Sequence, residues 1–155
     1  MHFVFEDQKA THAAALVVET HGGALNYIKL LKLLYLADRE SLIETGYPIT
    51  GDLMVSMDHG PVLSQLLDYL TWGPHDGSAW PDVISMPDDY IVRLKQPPDL
   101  ELFSDYEDEL LRGIVERFGG WEPWDLVRYS QALPEWSDPS GCAVPIDPSV
   151  ILRAA

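Results

Sequence analysis

From Asn26 to Glu44 the chain reads NYIKLLKLLYLADRESLIE, and apolar positions crowd more than one face of any helix drawn through it. Leu30, Leu31, Leu33, Leu34, Leu36 and Ala37, with Tyr27, Ile28 and Tyr35, cover most of the circumference. A helix that is apolar most of the way round lies inside a domain, with other elements packed on several sides. Its polar residues Asn26, Lys29, Lys32, Arg39 and Glu40 fall near one strip that can reach water. Lys29 and Lys32 interrupt an apolar run already shorter than the ~20 residues a bilayer crossing needs. The pattern predicts a buried central helix, closed by Gly46, with the remaining chain wrapped around it.

Further elements follow from the same periodicities. Asp7–His21 carries Ala10, Ala13, Ala14, Leu16, Val17 and Val18 at near-helical spacing and ends at Gly22-Gly23. Its connection to the central helix is so short that the two should pack close to antiparallel. Leu53–Met57 predicts a short strand or extended loop. Gly60-Pro61 reads as a helix start, because proline at the first helical position loses no hydrogen bond. Val62, Leu63, Leu66, Leu67 and Leu70 would form that helix's apolar face. Thr71–Pro81 reads as a tryptophan-bearing loop, and Val83–Ser85 with Tyr90–Leu94 flank Pro87-Asp88-Asp89 as a small β-hairpin or a pair of short strands. Ser104 and Glu107 form a capping box that opens a helix running to Gly119-Gly120. A short helix over Pro123–Ala132 and a last turn around Val150–Leu152 complete the reading. The predicted fold is mainly α: one compact helical domain, residues 1–155, around a buried helix, with a small hairpin or short-strand element.

Charge narrows the partners. Asp and Glu number 25 against 10 Lys and Arg, a formal net charge of −15. Such a chain is repelled by a phosphate backbone, which weighs against nucleic-acid binding by counterion release. It is attracted to basic protein surfaces, although the same charge also serves solubility alone. The lone cysteine, Cys142, cannot form an internal disulfide, which fits a reducing cytoplasm. The N-terminal stretch lacks the basic and apolar regions of a secretory signal. A cytoplasmic protein without a membrane anchor is the expectation.

Catalytic patterns are sparse. None of the five histidines has zinc-protease spacing, and Cys142 has no partner for a structural zinc site. No glycine loop leads into a Lys-Ser/Thr pair. Asp58-His59 beside Ser56 suggests a triad, but a serine nucleophile needs an elbow and an oxyanion hole, and His59 is more simply a turn residue. No catalytic residue, metal ligand or cofactor site is assigned. The tryptophans Trp72, Trp80, Trp121, Trp124 and Trp136 lie in or beside loops, where they either anchor an interface or plug the edges of a core.

The order of motifs carries more information. Lys32–Asp38 (KLLYLAD), Gly46–Asp52 (GYPITGD), Gly60–Val62 (GPV) and Leu126–Trp136 (LVRYSQALPEW) together resemble the SocA-like antitoxin family, also called the Panacea domain, over nearly the whole chain. One position departs: Gln131 stands where that family's last motif has histidine. The resemblance implies a phage-associated or bacterial antitoxin, encoded beside a toxin and silencing it by direct binding, with no enzyme activity of its own. The implied partner is a cognate protein toxin, expected here to present a basic surface. Lys32, Tyr35, Asp38, Gly60 and Pro61 are expected to be determinants of the fold, with Tyr35 and Asp38 making buried hydrogen bonds. Trp72, Trp80 and Trp124, with Asp52 and His59, are the expected partner-binding residues. Two rival functions remain. One is a regulator of its own operon, with Asp105–Ala132 imitating a helix-turn-helix, although the second helix offers a single Arg for phosphates. The other is an enzyme with a dispersed site, whose sign would be a concave pocket gathering Asp58, His59 and other polar groups.

Overall fold

Asn26 and Gly46 set the two ends of the central helix, α2 (Tyr27–Thr45), in the computed structural model, which describes residues 2–155. The Asn26 side chain accepts from the amides of Ile28 (2.9 Å) and Lys29 (3.3 Å), and Gly46 adopts the left-handed conformation at φ 85°. Every residue from Leu30 to Asp38 is buried. That run includes Lys32, only 2% exposed, so the expected water-facing strip is broken at its centre.

Four helices close around α2. α1 (Asp7–Thr20) packs against it and carries the fully buried Ala10, Ala13 and Ala14. α5 (Asp105–Phe118) lies against both α1 and α2 and starts with the expected capping box. The Ser104 hydroxyl accepts from the Glu107 amide (3.1 Å), and the Glu107 carboxylate accepts from the Ser104 amide (3.0 Å). α6 (Pro123–Gln131) and α7 (Pro148–Ala154) also contact α2. The fold is mainly helical, and no helix among the described residues is long and apolar enough to cross a membrane.

The strands correct one expectation and extend another. Gly60-Pro61 does not begin a helix. Gly60–Leu63 is a strand, β3, paired antiparallel with β2 (Met54–Met57), and the helix α3 (Ser64–Trp72) starts only afterwards. In the order β3-β2-β5 the β3 strand is an edge, where a proline's missing N–H costs no ladder bond. The unforeseen third strand, β5 (Val144–Pro145), comes from the late loop. The arms around Asp88-Asp89 do pair, but over a smaller and wider-shared element than expected. Val83 ends a short helix, α4 (Trp80–Val83), and the arms are joined by Ile84–Leu94 and Asp88–Ile91 bridges and by the Ser85 amide donating to the Arg93 carbonyl (2.9 Å). The second arm, β4 (Ile91–Arg93), also pairs with β1 (Ala24–Asn26), which lies between α1 and α2.

Candidate functional site

Three polar side chains on α2, at successive spacings of three, tie the helix to the irregular parts of the chain. Asp38 accepts from the amides of Ile49 and Thr50, each at 3.0 Å, and from the Thr50 hydroxyl at 2.5 Å. Thr50 in turn accepts from the Asp52 amide (3.1 Å). The Asp52 carboxylate receives the amides of Gln65 (2.9 Å) and Leu66 (3.0 Å), capping α3, whose own N-cap residue Leu63 has no side chain able to do so. Burial pushes Asp38 up to about 7 and Asp52 up to about 6, with the converging donors opposing the shift in each case.

One turn earlier, the Tyr35 hydroxyl donates to Glu135 at 2.6 Å, and Arg39 reaches both oxygens of the same carboxylate, at 2.7 and 3.2 Å. Burial and the adjacent Glu135 charge raise the Tyr35 hydroxyl far above its usual range, so it is a permanent donor. Earlier still, the Lys32 ammonium donates to the Pro61 carbonyl (3.0 Å). Desolvation pushes this lysine down to about 7. Lys32, Tyr35 and Asp38 thus hold the β3 edge, the segment after α6, and the turn before β2 to one helix.

Beside Lys32 the surface is concave. Ile28 and Leu31 of α2, Met57, Asp58 and His59 at the β2–β3 turn, and Val62 and Leu67 line a cavity of about 250 Å3. Tyr27 borders it and also lines an adjoining open pocket with Leu70, Thr71, Pro87, Asp89 and Tyr90. Tyr27 and Tyr90 are stacked, their rings 6.2 Å apart and 18° from parallel. At the other end His59 meets the Trp124 ring edge-to-face at 5.0 Å. Gln131 donates from its side-chain amide to the Asp58 carbonyl (2.9 Å), and Trp136 donates its indole N–H to the Met57 carbonyl (2.8 Å). The β2–β3 turn is therefore held in place by α6 and the loop that follows it.

The hydrogen-bonded ties made by Lys32, Tyr35, Asp38, Gln131 and Trp136 all lie within a single matched segment. The sequence model of the family described as Antitoxin SocA-like, Panacea domain, matches residues 30–137. The chain belongs to this family. No curated protein and no solved structure matches it. The Panacea match begins at Leu30 and ends just after Trp136, so it takes in Lys32, Tyr35, Asp38, Gly60, Pro61 and Glu135, while Tyr27 and Ile28 at one rim of the cavity fall outside.

The five residues expected at a partner surface divide. Trp72 is 84% exposed and Trp124 52%, and His59 is exposed at the cavity mouth. Trp80 is 0% exposed, packed edge-to-face on Tyr69 at 5.5 Å, so it plugs the core and cannot meet a partner. Asp52, 5% exposed, spends both carboxylate oxygens on α3. Sequence reasoning missed the Tyr27–Tyr90 stack and the cavity wall. Ile28, Leu31 and Leu67 carry no signal separating them from core leucines, because the helical period counts a groove wall and a core face alike. Glu135 was legible in principle: a carboxylate between Pro134 and Trp136 inside a family motif. Among the described residues no group of three or more His, Cys, Asp or Glu is placed to hold a metal ion.

Proposed function

We propose that this Panacea-domain protein, acting as one unit over residues 1–155, is the antitoxin of a toxin–antitoxin pair and neutralises a cognate protein toxin by direct binding. Membership of the SocA-like antitoxin family carries this reading. Two further features support it. The net charge of −15 favours a basic partner and fast, salt-sensitive encounter. The exposed aromatic residues Trp72, Trp124 and Tyr90 supply the side-chain type that anchors protein interfaces. The partner-facing side is the one bearing His59 and Trp124.

One observation favours an enzymatic alternative: the cavity gathers Asp58, His59 and Lys32. The arrangement around them argues for binding. The Asp58 carboxylate accepts the Gly141 amide (3.3 Å), His59 packs on Trp124, and the Lys32 ammonium is engaged by Pro61. No nucleophile is paired with a base there, which is the minimum for covalent catalysis.

The test is growth rescue. The gene adjacent to this one is induced in a host cell with and without the protein. Arrest that this protein relieves is the expected result; an adjacent product that is harmless, or arrest that persists, overturns the proposal.

A further inference from the structure

The geometry points to the groove beside α2 as the seat of a basic segment of a protein partner, which inserts one large apolar side chain into the cavity between Ile28 and Leu67. The identity of that partner rests on the antitoxin reading; the chemistry of the groove does not.

Size comes first. An apolar cavity of about 150 Å3 suffices to hold a benzene ring. The space here is about 250 Å3, walled by Ile28, Leu31, Met57, Val62 and Leu67, which fits one tryptophan, phenylalanine or leucine side chain. The concavity does not stop there. It shares Tyr27 with the adjoining pocket under Tyr90, so an occupant that fills the groove is extended, as a peptide segment is and a compact metabolite is not.

Charge selects the segment. Asp58 lines the cavity and Asp89 the adjoining pocket. Among the described residues, the one Lys or Arg lining either space is Lys32, which is buried with its ammonium on the Pro61 carbonyl. A segment laid along the groove therefore meets carboxylates at its rim and hydrocarbon at its floor.

The wall at the far end is built at a cost. Asp89 and Tyr90 have φ of 52° and 67°, a left-handed conformation that residues other than glycine adopt uncommonly. The Tyr27 amide donates to the Tyr90 carbonyl (2.9 Å), and the stacked rings keep Tyr90, 66% exposed, standing at the rim. Nothing in the core requires that exposed ring. A partner lying in the groove would use it.

The experiment titrates the peptide Ac-Lys-Lys-Trp-Lys-Lys-NH2 into the full chain carrying 13C-labelled methyl groups. The expected result is saturable shifts of the Ile28, Leu31, Met57, Val62 and Leu67 methyls, at least tenfold weaker binding with alanine in place of tryptophan, and none with glutamates in place of lysines. The Ile28→Glu variant should lose the shifts; Leu67→Lys, on the opposite wall, provides the same test should the first fail to fold. Shifts elsewhere, no shifts at millimolar peptide, or equal binding of the alanine peptide overturn the groove. Free indole binding as tightly as the peptide does so too, by making the cavity a small-molecule site. Rescue from an adjacent toxin that survives Ile28→Glu removes the groove and leaves the antitoxin reading. Peptide binding without rescue does the reverse.

Discussion

Gly60 and Lys32 are packed so tightly that a methyl group on Gly60 would lie 2.8 Å from the Lys32 ammonium and closer still to the Ser130 hydroxyl. Three elements converge there: the β3 edge, the buried helix α2 and α6. Gly60 also sits at φ 102°, a conformation that side chains rarely adopt. The Gly-Pro of the motif is thus a point of closest approach between the strand edge and two helices.

Gly60→Ala should lower stability by about 3 kcal/mol, from overpacking together with backbone strain. Urea unfolding checks it. Adding Ser130→Gly should restore part of the loss by removing the nearer clash, and a stable Gly60→Ala single variant would show the approach is looser than described.

Asp38→Ala should cost about 3 kcal/mol or more, because two buried amides and the Thr50 hydroxyl lose their acceptor together. Asp38→Asn keeps one acceptor oxygen and should cost less. Equal losses in denaturant unfolding would mean the three-donor arrangement is not what holds the Ile49–Thr50 turn.

Stability should depend on pH in two opposed windows. Asp38 and Asp52 titrate above their unfolded value of 3.8, at about 7 and 6, so the folded state binds more protons in between. Their contribution is complete below 3.8 and is lost as pH rises through 6 to 7. Lys32 titrates at about 7, below its unfolded 10.5, so its contribution is present above 10.5 and is lost as pH falls through 7. Thermal melts between pH 4 and 10 should show Lys32→Met flattening the rise above pH 7 and Asp52→Asn flattening the fall below it. An unchanged slope in either variant would refute that residue's assignment.

The tryptophans should separate cleanly. Trp80→Ala should destabilise by about 3–5 kcal/mol, since it empties a fully buried site. Trp72→Ala and Trp124→Ala should stay within about 0.5 kcal/mol of the parent in the same unfolding assay. Against a bound partner the order should invert: Trp124→Ala should weaken binding by about 2 kcal/mol, roughly thirtyfold, while refolded Trp80→Ala binds normally.

Local chemistry was readable from the chain, and long-range pairing was not. The Asn26 and Gly46 caps, the Ser104–Glu107 box and the apolar circumference of α2 are decided within a turn or two of sequence, and each stands where the residues place it. Gly60-Pro61 failed because proline satisfies a helix start and a strand edge equally well, and only the pairing of Gly60–Leu63 with β2 at one end of the sheet decides for the edge. The pairing of β4 with β1 was hidden in the same way, since β1 lies across α2 to α4 in sequence and is three residues long. Lys32 read as water-facing because its spacing matches Lys29; the β3 carbonyl that accepts its hydrogen bond is 29 positions away. At the site, exposure was the missing quantity. Trp72, Trp124 and His59 were distinguishable from Trp80 and Asp52 only once burial was known.

The central claim is neutralisation by direct contact, and calorimetric titration of the purified protein with its purified adjacent gene product tests it most directly. The account predicts a saturable complex whose Kd weakens at least tenfold between 50 and 300 mM salt, roughly what a few screened charge pairs supply. Rescue of growth with no heat of binding, or a complex indifferent to salt, would contradict it.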